Sequence, residues 1–251
     1  MTLISIEKIL STRNDSKIIL LSNAEFEIAK SSIYSIVGKN GTGKTTFIKS
    51  LTGLLDKRFY TVYGKVIFEG KDILSMSKEE LRLVRQHKIK YVFQDAKNSF
   101  DQLKKIGYYF DVLNSPSKEI DEILDYFLLP SSNELFRLYP YEISGGMAQR
   151  ISLSLALLAK PSLIILDEPT SGIDPAIANL FLLKLKEYVK SNSSSVLLVT
   201  QDFTFAEKIS DKIAMLSDRR LSDFLTPQEF FNSNDIMQKN DLLSSYFELL
   251  K

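Results

Sequence analysis

Residues 38–45, "GKNGTGKT", match the pattern G-x-x-x-x-G-K-[ST] and could bind phosphate groups. Glycines allow backbone N–H groups to turn inward around an anion, and a following helix adds its partial positive charge. Lys44 would reach the β- and γ-phosphates of a nucleoside triphosphate, and Thr45 would offer its hydroxyl to Mg²⁺. The rest of the cradle would come from Gly38, Lys39, Asn40, Gly41, Thr42, Gly43 and Thr46. The alternative is an ordinary glycine turn before a helix.

A pair of carboxylates, Asp167 and Glu168, ends the apolar run "LIIL". Open α/β sheets bind ligands at the carboxyl ends of their strands. Asp167 would organise Mg²⁺, partly through its water shell, and Glu168 would polarise a water in line with the γ-phosphate. A solvated turn is the alternative, and the phosphate loop upstream argues against it.

The elements that must position these residues follow from hydrophobic periodicity. Short apolar runs separated by helical patterns predict a doubly wound parallel sheet, and the alternation near the amino terminus predicts an antiparallel sheet. A Ser-x-x-Glu capping box, Ser77 with Glu80, begins a helix. The predicted strands cover residues 3–9, 18–28, 33–37, 90–93, 162–167 and 195–199; helices cover 44–55, 77–86, 151–160 and 179–190; and a hairpin covers 212–225.

Composition restricts the possible partners. Lysine plus arginine number 32 against 31 aspartates and glutamates, so no overall charge draws the chain to nucleic acid. There are no cysteines, which excludes disulfides and thiolate metal sites. The chain has no signal-peptide pattern, and its longest apolar runs fall far short of the roughly 18 residues needed to cross a bilayer. We therefore expect a cytoplasmic protein whose relation to a membrane depends on a partner.

The block "YEISGGMAQRISLSLALLAKPSLIILDEPTSGID", with the phosphate loop and "YVFQDA", resembles the ATP-binding cassette (ABC) ATPases over residues 1 to about 225. Within that family, "SKEELRLVRQHKIKYVFQDAKNSF" and "YPYEISGGMAQR" are most similar to the oligopeptide, dipeptide and nickel importer ATPases. The resemblance implies a RecA-like α/β core with an antiparallel subdomain (1–95 and 151–225), an inserted helical lobe carrying the signature (96–150), and a helical tail (226–251).

The same resemblance implies further site residues. Gln94 would contact Mg²⁺ or the attacking water and relay nucleotide state to a membrane permease. Asp174 would carry communication across a dimer seam. The signature would act in trans on a second subunit's γ-phosphate, and its residues are Ser144, Gly145, Gly146, Met147 and Gln149.

The stretch "LLVTQDF" resembles the switch region of the family. The switch position usually holds a histidine there, and Gln201 departs from that pattern. A glutamine amide donates a hydrogen bond but cannot carry a proton or a positive charge. If the lost contact supports the transition state, turnover would fall by roughly 10²- to 10³-fold. Adequate substitution by glutamine is the alternative.

A second departure concerns the adenine base. The family usually places a stacking aromatic near "STRNDSK", yet no aromatic residue occurs between Met1 and Phe26. Arg13 is near the expected place, and a guanidinium plane can stack on a base, although a solvated arginine is the alternative. The hairpin turn "SDRR" also lacks an expected glycine.

These features indicate an ATP- and Mg²⁺-dependent subunit that powers a permease for peptides or nickel and other metal chelates. The permease would hold it at the inner face of the membrane, with a solute-binding protein acting indirectly. Because Gln201 is altered and the signature is intact, a heterodimer with a second ATPase is favoured over a homodimer. Two alternatives stay open: a nucleotide-gated subunit with negligible hydrolysis, and a soluble ABC ATPase not linked to transport.

Overall fold

The computed structural model describes residues 2–13 and 16–232. Its strands are β1 (Thr2–Arg13), β2 (Ser16–Ile28), β3 (Ile33–Val37), β4 (Tyr60–Phe68), β5 (Lys71–Asp72), β6 (Ile89–Val92), β7 (Leu163–Asp167), β8 (Ser195–Thr200), β9 (Lys212–Ser217) and β10 (Arg220–Leu221). Its helices are α1 (Lys44–Leu51), α2 (Lys78–His87), α3 (Ala96–Ser99), α4 (Ile106–Asp111), α5 (Ser117–Tyr126), α6 (Ser132–Leu135), α7 (Gly145–Leu158), α8 (Pro175–Asn192), α9 (Phe203–Ile209) and α10 (Pro227–Asn232).

The central sheet has the order β10-β9-β3-β8-β7-β6, and all its neighbours are parallel except β10. Every residue of β3, β7 and β8 is buried, as expected for strands whose two faces are both covered. Val37 pairs with Thr200, and Asp167 pairs with Val199. The register therefore brings the phosphate loop, the carboxylate pair and Gln201 to one edge of the sheet.

The second sheet is antiparallel, with the order β2-β1-β4-β5. β1 and β2 are longer than the sequence predicted, and β4 and β5 were not assigned from the sequence at all. Gly64 pairs with Ile6 beside a register shift between β1 and β4, and a Cβ there would lie 2.1 Å from the carbonyl oxygen of Ser5. Since that distance is too short for any side chain, the close pairing of β1 and β4 depends on this glycine.

Two apolar cores lie on opposite faces of the central sheet. Ile164 and Leu166 pack with α7, α8 and the helices that precede them, whereas Ile165 packs with α1 and the antiparallel sheet. This alternation along β7 follows from the two-residue period of a strand. The core that contains Ile165 thus supports α1 and the phosphate loop before it. The core that contains Ile164 and Leu166 supports the helices between β6 and β7.

The segment between β6 and β7 contains helices α3 to α7 and a 3₁₀ turn at Pro140–Glu142, with no strand among its described elements. α7 continues to Leu158, beyond the expected lobe boundary at residue 150. The division into lobes at residues 96 and 150 stays a prediction. Of the expected tail, α10 is described, and residues 233–251 lie outside the described part.

Two helix ends illustrate how local sequence succeeds and fails. The capping box of α2 is confirmed: Ser77 Oγ accepts from the backbone N–H of Glu80, and the Glu80 carboxylate accepts from that of Ser77. The predicted extension of α1 to residue 55 is wrong. Gly53 adopts a φ of +62°, and Arg85 donates to the carbonyl oxygens of Thr52 and Gly53, so the helix ends four residues early.

Among the described residues, we find no helix with the length and apolar character needed to cross a membrane.

Candidate active site

The phosphate loop joins β3 to α1, as its strand–loop–helix pattern predicts. It begins at Gly38, where a Cβ would lie 2.5 Å from the carbonyl oxygen of Leu216 on β9. Gly41 and Gly43 have φ angles of +81° and +97°, which only glycine adopts without strain. Lys39, Asn40 and Gly41 are exposed, while Thr42, Gly43, Thr45 and Thr46 are half-buried. The loop therefore presents its backbone to solvent at the start of α1.

Lys44 is buried, and its ammonium group is held by several oxygens. Nζ donates to the carbonyl oxygens of Gly38 at 2.8 Å and Lys39 at 3.1 Å. It also lies 3.1 Å from Glu168 Oε1, and both side chains of this ion pair are less than a tenth exposed. A buried charge is costly unless it is paired, so each group compensates the other. The structure thus joins two residues that are 124 positions apart in the sequence.

Asp167 is held by two hydroxyl groups. Thr45 Oγ1 donates to Oδ1 at 2.8 Å, and the Tyr91 hydroxyl donates to Oδ2 at 2.9 Å. Burial raises the pKa of the Asp167 carboxyl, although both hydrogen bonds oppose that shift. Burial and the nearby Asp167 charge raise the pKa of Tyr91. The carboxylate is therefore fixed in orientation and would gain from a bound cation.

Gln94 lies in the same cleft as Thr45 and Asp167. The residues that line the cleft are Thr45, Lys49, Phe93, Gln94, Asp95, Asn98, Ser99 and Asp167. The hydroxyl, amide and carboxylate oxygens of Thr45, Gln94 and Asp167 are the hard donors that Mg²⁺ prefers. Across the described residues, no group of three or more histidine, cysteine, aspartate or glutamate side chains is placed to hold a metal. This donor set fits an ion whose remaining ligands are water and phosphate oxygens.

Gln201 follows β8 directly and contacts Glu168 through its backbone. Its N–H donates to Glu168 Oε2 at 3.0 Å, while its side chain is exposed. Glu168 is in the left-handed region at a φ of +46°, and its own N–H donates to Val199. The carboxylate is consequently held by Lys44 on one oxygen and by the main chain of residue 201 on the other.

The signature residues lie elsewhere, at the amino terminus of α7. Ser144 Oγ accepts from the backbone N–H of Met147 at 3.1 Å, so the serine caps this 14-residue helix. Ser144 and Gly145 are exposed, and a Cβ on Gly145 or Gly146 would meet nothing within 4 Å. None of these residues lines the cleft that holds Thr45 and Asp167. The helix end is open toward solvent.

Gln149 differs from the other signature residues. It is 4% exposed, because its position on α7 faces the protein interior, and its Nε2 has no hydrogen-bond partner. The expectation that Gln149 acts on a second subunit stays a prediction.

Asp174 and Arg13 are the two remaining site residues expected from the sequence. Asp174 caps α8 by accepting from the N–H of Ala176 at 2.8 Å, and its side chain is exposed. Its role in dimer communication stays a prediction. Arg13 is the last residue of β1, and its side chain lies outside the described part, so its stacking on adenine is not tested.

Sequence reasoning missed Tyr91, which orients Asp167. Tyr91 pairs with Ile165 across the β6–β7 register, two residues before Asp167. Its position three residues before Gln94, on a strand ending at the same sheet edge, was the available signal.

Comparisons with known proteins agree with this arrangement. A family model described as "ABC transporter" matches residues 21–171. The metal-staphylopine import system ATP-binding protein CntD of Staphylococcus aureus is 29% identical over 254 residues, covering 98% of this chain and 93% of that protein. The dipeptide transport ATP-binding protein DppD of Caldanaerobacter subterraneus is 32% identical over 216 residues, covering 82% of this chain and 66% of that protein.

A similar solved structure is the dimeric, post-hydrolysis state of the ATP-binding cassette MJ0796 bound to ADP and Pi. It has a TM-score of 0.78 and 22% sequence identity, and the match covers 90% of this chain and 99% of that one. This likeness confirms the expected fold class, a RecA-like α/β core with antiparallel and helical parts.

Proposed function

Since the chain belongs to the ABC transporter family and is an ATPase of that family, we propose that it powers an importer for peptides or metal chelates. It does so beside a second, non-identical ATPase, and its own phosphate site turns over slowly. The observation that carries this proposal is that residue 201, whose backbone N–H contacts Glu168, has an exposed glutamine side chain with no titratable proton.

The chain keeps the groups that bind a magnesium-bound triphosphate. Lys44 supplies a buried positive charge for the β- and γ-phosphates, and the backbone of residues 40–43 supplies N–H donors. Thr45, Asp167 and Gln94 would hold Mg²⁺, which neutralises charge on the phosphates when bound. Tyr91 keeps the Asp167 carboxylate turned toward this cleft. The groups for binding the triphosphate and Mg²⁺ are therefore all present.

Glu168 is the group that would accept a proton from the attacking water. Its contacts with Lys44 Nζ and the Gln201 N–H fix the carboxylate at the sheet edge. Once phosphate oxygens share Lys44, the Glu168 oxygen that now faces the ammonium is freed to orient water.

Gln201 can add little to this step beyond its backbone contact. Its exposed amide can donate one hydrogen bond toward a γ-phosphate, but it has no charge and no titratable proton. The site thus retains binding and the base but lacks a protonatable switch group. This combination supports slow turnover rather than absence of nucleotide binding.

The signature supports a role in another chain's site. The exposed N-terminus of α7 offers backbone N–H groups and the Ser144 hydroxyl to an anion. An intact signature would serve a partner ATPase that carries its own switch group. Closure of the two chains would then drive the permease, which holds both at the cytoplasmic face of the membrane. A solute-binding protein would deliver cargo to that permease, and no nucleic acid is involved.

The cargo class rests on the relatives, whose names specify metal-staphylopine import and dipeptide transport. Direct uptake assays with the neighbouring permease genes and radiolabelled dipeptide or metal chelate would test it.

The slow-turnover proposal is tested by Gln201→His in steady-state ATPase assays. Restoring a protonatable group beside Glu168 should raise turnover by about 10- to 100-fold, because one transition-state contact is regained. Gln86→His, on the exposed face of α2, is the matched control and should leave turnover unchanged. Equal rates for wild type and Gln201→His would reject the proposal and favour a nucleotide-gated subunit without hydrolysis.

The pairing is tested by mixing the chain with a candidate partner ATPase. Replacing Glu168 here should lower turnover of the mixed pair far less than replacing the equivalent acid in the partner. An equal loss from either replacement would reject the asymmetric pair.

A further inference from the structure

A cleft beside the phosphate loop contains an aromatic ring that the sequence did not lead us to expect. It has a volume of about 530 Å³, within the range of roughly 300–1,000 Å³ typical of small-ligand sites. On one side it is lined by Gly41, Thr42, Gly43 and Thr46 of the loop and α1. On the other side lie the ends of β1, β2 and β4. A base attached to phosphates in the loop can reach this adjoining space.

Three strands contribute one row of side chains to the cleft. Ser11 on β1 pairs with Ile18 on β2 and with Tyr60 on β4, so the three lie side by side on one face of the antiparallel sheet. The preceding row, Ile9 with its partners, faces the core that supports α1. The β1–β2 register shifts between Ile9 and Leu10, and beyond that shift the row at Ser11 lines the same cleft as residues 41–43 of the phosphate loop.

The middle of this row is small and its two ends are large. Ser11 therefore leaves room between Ile18 and Tyr60, and the cleft is partly apolar there. Ile18 is 45% exposed, which is unusual for an isoleucine on the face that leads to the core. Of the described residues that line the cleft, Tyr60 is the one aromatic, and it is half-buried.

The turn 217–220 closes the cleft on the side of the central sheet. Asp218 and Arg219 adopt φ angles of +48° and +64° without a glycine, and both line the cleft. The Arg219 carbonyl oxygen accepts from the Ser22 N–H of β2 at 2.8 Å, which ties the turn to the antiparallel sheet. The turn "SDRR", which lacks the expected glycine, thus borders the same cleft as Tyr60.

We propose that Tyr60, on β4, is the ring that stacks on the nucleotide base, with Ile18 on the opposite wall. Stacking from β4 replaces the absent aromatic of β1, whose Ser11 neighbours Tyr60 in the sheet. It also makes Arg13 unnecessary for base binding. The inference rests on nucleotide binding by the chain and not on its cargo, partner or turnover rate.

Isothermal titration calorimetry tests the proposal by measuring the affinity of the full chain for two ligands. One ligand is MgATP, and the other is magnesium tripolyphosphate, which has no base. Tyr60→Leu should weaken MgATP binding about tenfold, because one base–aromatic stack is lost, and should leave tripolyphosphate binding unchanged. Tyr60→Phe keeps the ring and should bind MgATP within about twofold of wild type. Leucine is chosen because Tyr60 also borders a cavity with Leu55 and Val62, where an apolar side chain is needed.

Phe59→Leu is the matched control, since Phe59 is 52% exposed, adjacent in sequence and outside the cleft lining. It should change neither affinity. Unchanged MgATP affinity in Tyr60→Leu would overturn the assignment, and so would an equal loss for tripolyphosphate, which would indicate a disturbed phosphate loop. Neither result depends on the Gln201→His turnover assay, so failure of this inference and failure of the proposed function are distinguishable.

Discussion

The sheet edge and the N-terminus of α7 are both suited to bind phosphate, but they are built differently. At the edge, Lys44, Asp167 and Glu168 are buried, and protein atoms contact each charge. At the helix end, Ser144 and Gly145 are exposed and face solvent. A buried charge must be paired with other groups of the same chain, because an unpaired buried charge is costly. Exposed hydrogen-bond donors are solvated and remain available to a ligand bound on another molecule.

We call the sheet edge, which would bind nucleotide within one chain, the binding half. We call the N-terminus of α7, which would meet a second chain, the closing half. Changes at the sheet edge should affect a single chain, because its contacts are internal. Changes at the helix end should leave nucleotide binding by a single chain unchanged.

Glu168→Gln should have the largest effect, lowering turnover by about 10³-fold in the faster Gln201→His background, because the proton acceptor is lost. MgATP binding should persist, since Lys44 and Asp167 remain. Turnover and calorimetric affinity measured on the same protein would check this. Glu119→Gln, which breaks an ion pair with Lys160 in the helical segment, is the matched control and should keep full turnover. Retained turnover in Glu168→Gln would remove this residue from the mechanism.

Gly146→Asp should lower turnover about 10²-fold in the same background, because a carboxylate would repel a partner's phosphate. The fold should tolerate it, since a Cβ at Gly146 meets nothing within 4 Å and an acidic residue suits a helix N-terminus. Steady-state ATPase rates across a range of chain concentrations would measure the effect. A rate equal to that of the parent would contradict a role for the signature.

Much of the binding half could be predicted from sequence because its signals are local. The glycine pattern and the Asp167–Glu168 pair each lie in one stretch, and parallel strands bring their carboxyl ends to one edge. Tyr91 and Tyr60 could not be predicted in the same way. Tyr91 lies on the strand beside that of Asp167, and Tyr60 lies on the strand beside that of Ser11. Their roles appear only once the register across β6–β7 and β1–β4 is known. The burial of Gln149 likewise depends on how α7 packs.

Tyr91→Phe should raise the Mg²⁺ concentration for half-maximal turnover about tenfold, because an outer hydrogen bond that orients Asp167 is removed. Tyr109→Phe is the control: its hydroxyl contacts the backbone of Asp101 in the helical segment, away from the cleft. Magnesium titrations at fixed ATP would compare the variants. An unshifted midpoint would mean that Thr45 alone suffices to orient the carboxylate.

Ser144→Ala should have the smallest effect on the isolated chain, a loss of about 1 kcal/mol in free energy of unfolding, because the cap on Met147 is removed. Ser144→Asp keeps a capping oxygen and should keep stability. Chemical denaturation would report both. Equal losses in the two variants would show that the cap is not what stabilises this helix end.

We infer that one chain binds nucleotide through the sheet edge without its signature. Calorimetric titration of MgATP into dilute single chains tests this, comparing Lys44→Ala with Gly146→Asp. Lys44→Ala should lose most of its affinity, whereas Gly146→Asp should bind as wild type does. Equal weakening in both variants would contradict it, because the two halves would then form one site within a single chain.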